Sequence, residues 1–245
     1  MAPRAERKAD RVAGELMRRI VGGHLEVGDL LPKEAELAAE FEVNRSVVRE
    51  AIKLLEVHGL AQPIKRLGTR VLDPLASVSP GVIRVMLSPD GIRVDAGVLA
   101  DLLELREQLD RDMTALAAGR RTDHDLVLLS EAAQAVRAAL GSPAEFRQRS
   151  DAFAMALARA SHNRLFPMLV HWQAHVFSGL DELLAVVVQP IEPHVQGIEL
   201  LLECIRRSDV AAARRVIGAF HAWANPRILA AAALRSGASL KEVRS

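Results

Sequence analysis

The sequence predicts a mainly α-helical protein with two domains, a small N-terminal domain that includes a β-hairpin and a larger all-helical one. Three observations support this prediction. Two short helical patterns and a basic hairpin follow one another without a gap in residues 30–71. A stretch with two prolines and two serines, residues 73–80, separates them from the rest. From residue 81 onward, apolar residues recur at three- and four-residue steps.

The first part of the chain predicts three helices. One covers residues 7–23, where apolar residues recur at helical spacing before two glycines. A short second helix follows Pro32 and ends near Phe41, and only a tight turn can connect it to a third. Asn44 is a good N-cap because its short side chain can accept a hydrogen bond from a free backbone amide. The third helix therefore begins near Arg45.

The third helix has two faces of different chemistry. One is apolar and is formed by Val48, Ala51, Ile52 and Leu55. The other is basic, with a repeat of four residues, and is formed by Arg45, Arg49 and Lys53. Residues 44–70 contain six Lys or Arg and two Glu, whereas residues 26–42 contain six acidic residues and Lys33. The positive charge is therefore concentrated on a segment that could contact an acidic partner.

A two-stranded hairpin is predicted after the third helix. Gly59 can end that helix in a left-handed conformation. Residues 60–64 and 69–72 then flank a short turn whose tip holds Lys65 and Arg66. The pattern predicts a basic β-wing next to the third helix.

The run PKEAELAAEFEVNRSVVREAIKLLEVHGL, followed by GTRV, resembles the DNA-binding domain of the GntR family of bacterial transcriptional regulators. The resemblance implies base or phosphate contacts from Arg45 and Arg49, backbone contacts from the helix start, and a minor-groove contact from the wing. The candidate DNA-binding residues are Lys33, Asn44, Arg45, Ser46, Arg49, Lys53, Lys65, Arg66, Gly68 and Thr69. Many members have Arg where this chain has Ala35, so the operator sequence cannot be inferred. An isolated basic stripe could be a solvated helix face, but the turn, the cap and the wing together favour DNA binding.

The remainder of the chain predicts an antiparallel bundle of six or seven helices, because the connectors are short. The predicted helices are 81–87, 94–121, 122–140, 143–161, 165–188, 192–208 and 209–234. The predicted domains are a winged helix-turn-helix at 1–73, a linker at 74–80 and a helical domain at 81–245. This order, with the runs LLELREQLDRDMTALAA and ALARASHNRLFPML, resembles the FadR subfamily of GntR regulators, whose second domain binds an effector.

The resemblance also implies where a metal would bind, since most such domains hold a divalent cation with one Asp and three His. Alignment on Asn163 and Asp209 places these four positions at Ser150, Ala154, Ile198 and Phe220. None of these is a useful ligand for such a cation. A shift of one residue would give a weaker set, namely Asp151, Met155, Glu199 and His221. We therefore expect no metal or other cofactor, and a pocket widened for an organic ligand.

Four residues are candidates for effector binding. Arg106 stands where the subfamily has an Arg that points into the bundle, and it could pair with an effector carboxylate or phosphate. The alternative interpretation is that Arg106 forms an ion pair with a neighbouring acidic residue of its own helix. Single histidines are more often packed or surface residues, yet three of them could hydrogen-bond an effector: His175, His194 and His221.

Composition and motifs exclude several classes of protein. A net charge of +1 excludes a uniformly basic nucleic-acid coat, so DNA affinity must come from the local basic segment. Cys204 is the only cysteine, which fits a reducing cytoplasm. We see neither a signal peptide nor an apolar run long enough for a membrane helix. The sequence has no Ser, His and Asp in the order of a catalytic triad with a nucleophile elbow, and no glycine-rich phosphate loop. It also has no pair of carboxylates that differ in environment, so we expect no enzyme activity.

The sequence therefore predicts a cytoplasmic, ligand-responsive transcriptional regulator that binds double-stranded operator DNA. We expect a homodimer, because two-fold pairing matches a palindromic operator. We expect a repressor that a small organic acid or an acyl-CoA releases from the operator. Two alternatives remain at this point. One is a helical-bundle enzyme with an accessory DNA-binding head, and the other is an architectural DNA-binding protein without an effector.

Overall fold

The computed structural model describes residues 7–178, 180 and 191–235. The chain forms two compact units that meet in the sequence between Asp95 and Ala96. Helices dominate both units, and the sheet is a single antiparallel hairpin in the N-terminal unit. The predicted fold class, mainly α with a small β-wing, is confirmed.

The N-terminal unit contains four α-helices and the hairpin. In chain order its elements are α1 (Lys8–Val21), α2 (Glu34–Glu40), α3 (Arg45–Val57), β1 (Ala61–Ile64), β2 (Gly68–Val71), a 3₁₀ turn (Pro74–Ala76) and α4 (Pro80–Leu87). Each of the three predicted N-terminal helices is present within a few residues of its expected bounds.

The apolar face of α3 forms the centre of the N-terminal core. Val48, Ala51 and Leu55 are fully buried there, and Ile52 is nearly so. They pack with apolar residues of α1, among them the fully buried Leu16. Since an apolar stripe at helical spacing must be covered by a neighbouring element, this packing leaves the opposite, basic face of α3 outside the core.

The hairpin has a simple antiparallel register. Ala61 pairs with Val71 at its base and Ile64 with Gly68 at its tip. The preceding loop extends the sheet, because the amide of Leu31 donates to the carbonyl of Thr69 at 2.7 Å. The wing is thereby fixed along its second strand to the start of α2.

Helix α4 packs on the rest of the N-terminal unit. Val82 is fully buried and belongs to the same core as α1 and α3. The side chain of His58, at the end of α3, contacts Ser79 just before α4, with 2.6 Å between Nδ1 and Oγ. The contacts thus group residues 80–95 with the N-terminal unit, whereas the sequence prediction begins the helical domain at residue 81.

The C-terminal unit is all-helical in its described residues. Its elements are α5 (Ala96–Arg120), α6 (Asp123–Ala138), α7 (Pro143–Ala160), α8 (Leu165–Val176), α9 (Ile191–Arg206) and α10 (Val210–Arg235). The helix predicted at 165–188 is present as α8 up to Val176, and residues 181–188 of that prediction lie outside the described residues.

The two longest helices, α5 and α10, pack along each other and form one side of the C-terminal core. Helices α6 and α7 pack as a pair, and α9 contacts α5, α6 and α10. The fully buried Phe146 of α7, Leu129 of α6 and Ile205 of α9 meet in a single apolar cluster. This arrangement leaves a cavity between α5, α7, α9 and α10.

Candidate functional site

The first candidate site is the exposed basic face of α3. Arg45, Arg49 and Lys53 are all exposed, as predicted. Arg49 is held by α2, because its Nε donates a hydrogen bond of 2.8 Å to Oε2 of Glu34. That contact uses Nε alone, and the Arg49 side chain stays 63% exposed. Its two terminal nitrogens remain available for the bidentate contact that Arg makes with guanine.

The start of α3 presents a second polar feature. Oδ1 of Asn44 accepts hydrogen bonds from the amide of Val47 at 2.9 Å and from the hydroxyl of Ser46 at 2.8 Å. The predicted N-cap is therefore present. Both side chains are exposed at the N-terminus of a thirteen-residue helix, where the helix dipole favours a phosphate group.

The wing and the start of α2 supply the other predicted DNA-binding residues. Lys65 and Arg66 are exposed at the tip of the hairpin. Gly68 has φ +135°, a conformation that L side chains rarely adopt, which explains a glycine at this turn. Thr69 is half-buried on β2, and Lys33 is the exposed N-cap of α2. All ten predicted residues lie in the N-terminal unit, mostly on exposed surface.

The second candidate site is the cavity inside the C-terminal unit, with a volume of about 160 Å³. Its lining includes Ser150, Ala154, Ile198 and Phe220, the four positions at which the family resemblance places metal ligands. One hydroxyl and three hydrocarbon side chains do not fit a divalent cation, which prefers carboxylate, imidazole or thiolate ligands.

The alternative ligand set, shifted by one residue, is not brought together. Asp151 lines the cavity, but Met155 does not. Glu199 is paired with Arg137 of α6, and His221 with a carboxylate of α5. Among residues 7–178, 180 and 191–235, no cluster of three or more His, Cys, Asp or Glu side chains could hold a metal ion.

One polar cluster in the cavity joins α5 to α10. Nε of Arg106 lies 3.5 Å from Oδ2 of Asp110, and the same oxygen lies 3.0 Å from Nε2 of His221. His221 is only 1% exposed, so this carboxylate holds an imidazole that bulk water does not reach. The Arg106 guanidinium also lies over the ring of Phe177, 5.8 Å from its centroid.

The α7 side of the cavity offers a hydroxyl and a carboxyl. Oγ of Ser150 is buried and has no hydrogen-bond partner among the described residues. Asp151 as a whole residue is exposed. Its carboxyl group faces the cavity, however, and is partly removed from solvent there. This desolvation raises the pKa of Asp151, while the charges of Arg147 and Arg106 lower it in part. Desolvation prevails because burial disfavours the charged form of a carboxyl group.

The predicted histidines have three different locations. His194 lines the cavity and packs edge-on between two phenylalanine rings, with centroids 5.2 Å from Phe146 and 5.3 Å from Phe220. His221 is buried behind the cavity wall on Asp110. His175 is exposed on α8, where its Nδ1 lies 2.8 Å from the carbonyl oxygen of His171. The structure does not bring His175 to the cavity.

Two polar contacts at the candidate sites are not evident from the sequence. Helical spacing gives no partner for Glu34, and it places Asp110 one turn from Arg106 on the same helix. In the structure Glu34 approaches Arg49 across the turn between α2 and α3, fifteen residues apart, and Asp110 approaches His221 across 111 residues. Helical spacing indicates which face a residue occupies but gives no signal for a polar partner on another helix.

A capped helix with a basic outer face beside a β-wing defines a winged helix-turn-helix DNA-binding domain, and the helical unit with its partly polar cavity defines a ligand-binding domain. The chain belongs to the GntR family of bacterial regulatory proteins, whose family model matches residues 8–71, while the FCD domain model matches residues 101–221. This pairing is the architecture of the FadR-like subfamily, and the protein is a ligand-responsive transcriptional regulator rather than an enzyme.

Individual relatives agree with this assignment. The chain is 29% identical to an uncharacterised HTH-type transcriptional regulator of Mycobacterium tuberculosis, over 89% of this chain and 88% of the relative. It is 30% identical to the HTH-type transcriptional repressor NanR of Cronobacter sakazakii, over 88% and 83%. The structure of Lar, which controls expression of the Listeria monocytogenes agr system, covers 92% of this chain at 21% identity, with a TM-score of 0.59. The chain covers 98% of that structure, which supports the fold.

No helix in the described ranges combines the length and the apolar character that crossing a bilayer requires.

Proposed function

We propose that this protein is a dimeric repressor that reads operator DNA with α3 and the wing, and that a small organic monocarboxylate in a metal-free cavity releases it. The observation that carries the DNA-binding part is the exposed row of Arg45, Arg49 and Lys53 on a helix capped by Asn44. A DNA partner also implies a cytoplasmic location. Two-fold pairing of the subunits would present two such rows to the two halves of a palindromic site.

Selection of duplexes from a random library tests this proposal, because the selection itself yields the operator sequence. The wild-type protein should enrich a palindromic sequence. Arg45→Ala and Arg49→Ala should each reduce discrimination against a scrambled duplex by about 1–3 kcal/mol. Arg11→Ala is the matched control, since Arg11 is an exposed arginine of α1 and not of α3. Equal losses in all three variants would contradict the proposal.

The size and chemistry of the cavity support a small organic acid as the effector, rather than an acyl-CoA. A cavity of about 150 Å³ accommodates a molecule of benzene's size, and this one measures about 160 Å³. A nucleotide-containing coenzyme is several times larger. Arg106 supplies one guanidinium for a carboxylate, and the unpartnered Oγ of Ser150 supplies one hydrogen-bonding group.

The donor set supports the metal-free part of the proposal. The positions that would hold a cation carry Ser150 and three hydrocarbon side chains, and the buried His221 is already bonded to Asp110. Elemental analysis of protein purified without chelator tests this part. We expect less than about a tenth of an equivalent of metal, and one equivalent of zinc, nickel or manganese per chain would contradict it.

The direction of regulation is tested separately. Operator binding by the purified protein should weaken when the effector is added, since a ligand that binds the DNA-free conformation better shifts the population toward it. A reporter gene behind the selected operator should then be silent without effector and active with it. Tighter operator binding on effector addition would instead indicate an activator or a co-repressor mechanism.

A further inference from the structure

An apolar groove lies beside the effector cavity, between α9 and α10. Its volume is about 430 Å³, and it is open to solvent on one side. Its lining is mostly hydrocarbon and aromatic: Pro193, Leu200, Val216, Ala219, Phe220 and Trp223. The charged residue on its lining is Arg215, whose aliphatic stem can also cover apolar surface.

The groove and the cavity share one wall. Four residues line both: His194, Gly197, Val216 and Phe220. The rings of His194 and Phe220 form the aromatic part of this wall and pack edge to face. Gly197 contributes no side chain, and no atom lies within 4 Å of the place its Cβ would occupy. The partition between the two spaces is therefore thin at Gly197.

The two spaces differ in polarity. The polar groups Arg106, Asp110, Ser150 and Asp151 all face the inner cavity. The outer groove exposes apolar surface to water, which is unfavourable, and this surface includes Leu200, which is 56% exposed. Exposed apolar surface next to a polar cavity is the arrangement that an amphipathic ligand satisfies, because each part of the ligand meets its own kind of surface.

We infer that the cavity and the groove form one two-compartment site for a medium-chain aliphatic carboxylate. The carboxylate lies at Arg106 and Ser150, and the hydrocarbon chain passes over Gly197, beside the packed rings of His194 and Phe220, into the groove. The inner volume holds about six non-hydrogen atoms, as a benzene-sized cavity does, so the remaining carbons of a chain of about eight to ten occupy the groove. This inference rests on the proposed effector class and extends it.

The affinities of butanoate, octanoate and decanoate for the full-length protein test the inference. Butanoate fills only the inner cavity, whereas each added methylene buries apolar surface in the groove. Affinity should rise about fourfold per methylene until the groove is full. Titration calorimetry measures this rise directly. Fluorescence gives a second readout, because Trp223 lines the groove and the protein has only two tryptophans.

Ala219→Trp is the decisive variant. Ala219 is an exposed residue of α10 that lines the groove but not the cavity, so an indole there fills the groove without disturbing the core. We expect octanoate to bind at least about tenfold more weakly and butanoate to bind as before. Ala222→Trp is the matched control, because Ala222 is exposed on the same helix and lines neither space. Leu200→Glu, on the opposite side of the groove, should act like Ala219→Trp.

The outcomes separate this inference from the proposed function. If no carboxylate binds, butanoate included, the proposed effector class fails and the inference fails with it. If butanoate binds but chain length has no effect, or if Ala219→Trp leaves octanoate binding unchanged, the two-compartment site is refuted and the small-acid proposal stands. If Ala219→Trp changes the oligomeric state in light scattering and not octanoate binding, the groove is a subunit contact and the inference is refuted.

Discussion

The ion pair between Glu34 and Arg49 should position the Arg49 guanidinium for reading a base. The pair joins α2 to α3 at 2.8 Å through Nε and leaves the terminal nitrogens outside. Its side chains are 38% and 63% exposed, so solvent screens the pair and its energy is about 0.2–1 kcal/mol. Glu34→Gln should therefore reduce the preference for operator over scrambled duplex by about 1.4-fold to fivefold. Arg49→Ala should reduce it further, by about 1–3 kcal/mol.

A double-mutant cycle distinguishes positioning from a general change of charge. Operator and scrambled affinities are measured for the wild type, each single variant and the double variant at the same salt concentration. If Glu34 acts through Arg49, Glu34→Gln should have no effect on discrimination in the Arg49→Ala background. Glu34→Gln removes a negative charge and should still raise the affinity for the scrambled duplex in that background, because the protein repels the phosphates less.

Glu50→Gln is the control for charge, since Glu50 is exposed on α3 and has the same carboxylate without this pair. It should strengthen binding to both duplexes and leave their ratio unchanged. The reasoning is refuted if Glu34→Gln alters discrimination equally with and without the Arg49 side chain. It is also refuted if Glu50→Gln reproduces the loss of discrimination.

Three further predictions concern stability and pH. Burial, and secondarily the charge of Arg84, lowers the pKa of His58. The neutral imidazole therefore contributes its full stabilisation of the folded state above pH 6.5, and this contribution is lost as the pH falls through the lowered pKa. His58→Gln should flatten the pH dependence of the urea midpoint. Because burial raises the pKa of Asp151, carboxylate effectors should bind more tightly as pH falls, and Asp151→Asn should remove that dependence in calorimetry. Asn44→Ala should lower the free energy of unfolding of the N-terminal unit by about 0.5–2 kcal/mol, measured in urea; an unchanged midpoint would contradict the capping role.

Much of the fold could be predicted from the sequence because local signals determine it. The start of α3 follows from Asn44, whose side chain accepts the amide of Val47, and its end from Gly59, which has φ +71°. The apolar stripe of the same helix is buried as its spacing predicts. Such features depend on residues within a few positions of one another, so the sequence contains them directly.

The assignment of α4 shows where local signals end. Its eight residues are apolar enough to pack on either unit, and the sequence gives no preference. The contacts of Val82 with the N-terminal core decide the matter, together with the polar contact between His58 and Ser79. Tertiary packing is therefore needed to place this helix, and a boundary drawn at the prolines separates it from its partners.

The cavity could be predicted only in part. The resemblance to the FadR subfamily predicts four positions from three helices, and the structure places Ser150, Ala154, Ile198 and Phe220 on the lining of one cavity. Their chemistry could be interpreted from the sequence, because each side chain either can or cannot ligate a cation. The polar groups that replace such ligands could not, since no sequence pattern predicts that Asp110 meets His221.

The charge of the cavity limits which acids it can accept. On the described lining, Arg106 is the only Lys or Arg, and Asp110 lies 3.5 Å from it, with Asp151 on the facing helix. A bound divalent cation would add two positive charges and could balance a dicarboxylate, but the donor set present does not fit one. A monocarboxylate can share Arg106 with Asp110 when Asp151 takes up a proton, which its raised pKa favours. A second carboxylate would meet no further Lys or Arg on that described lining, so the cavity should select acids with a single negative charge.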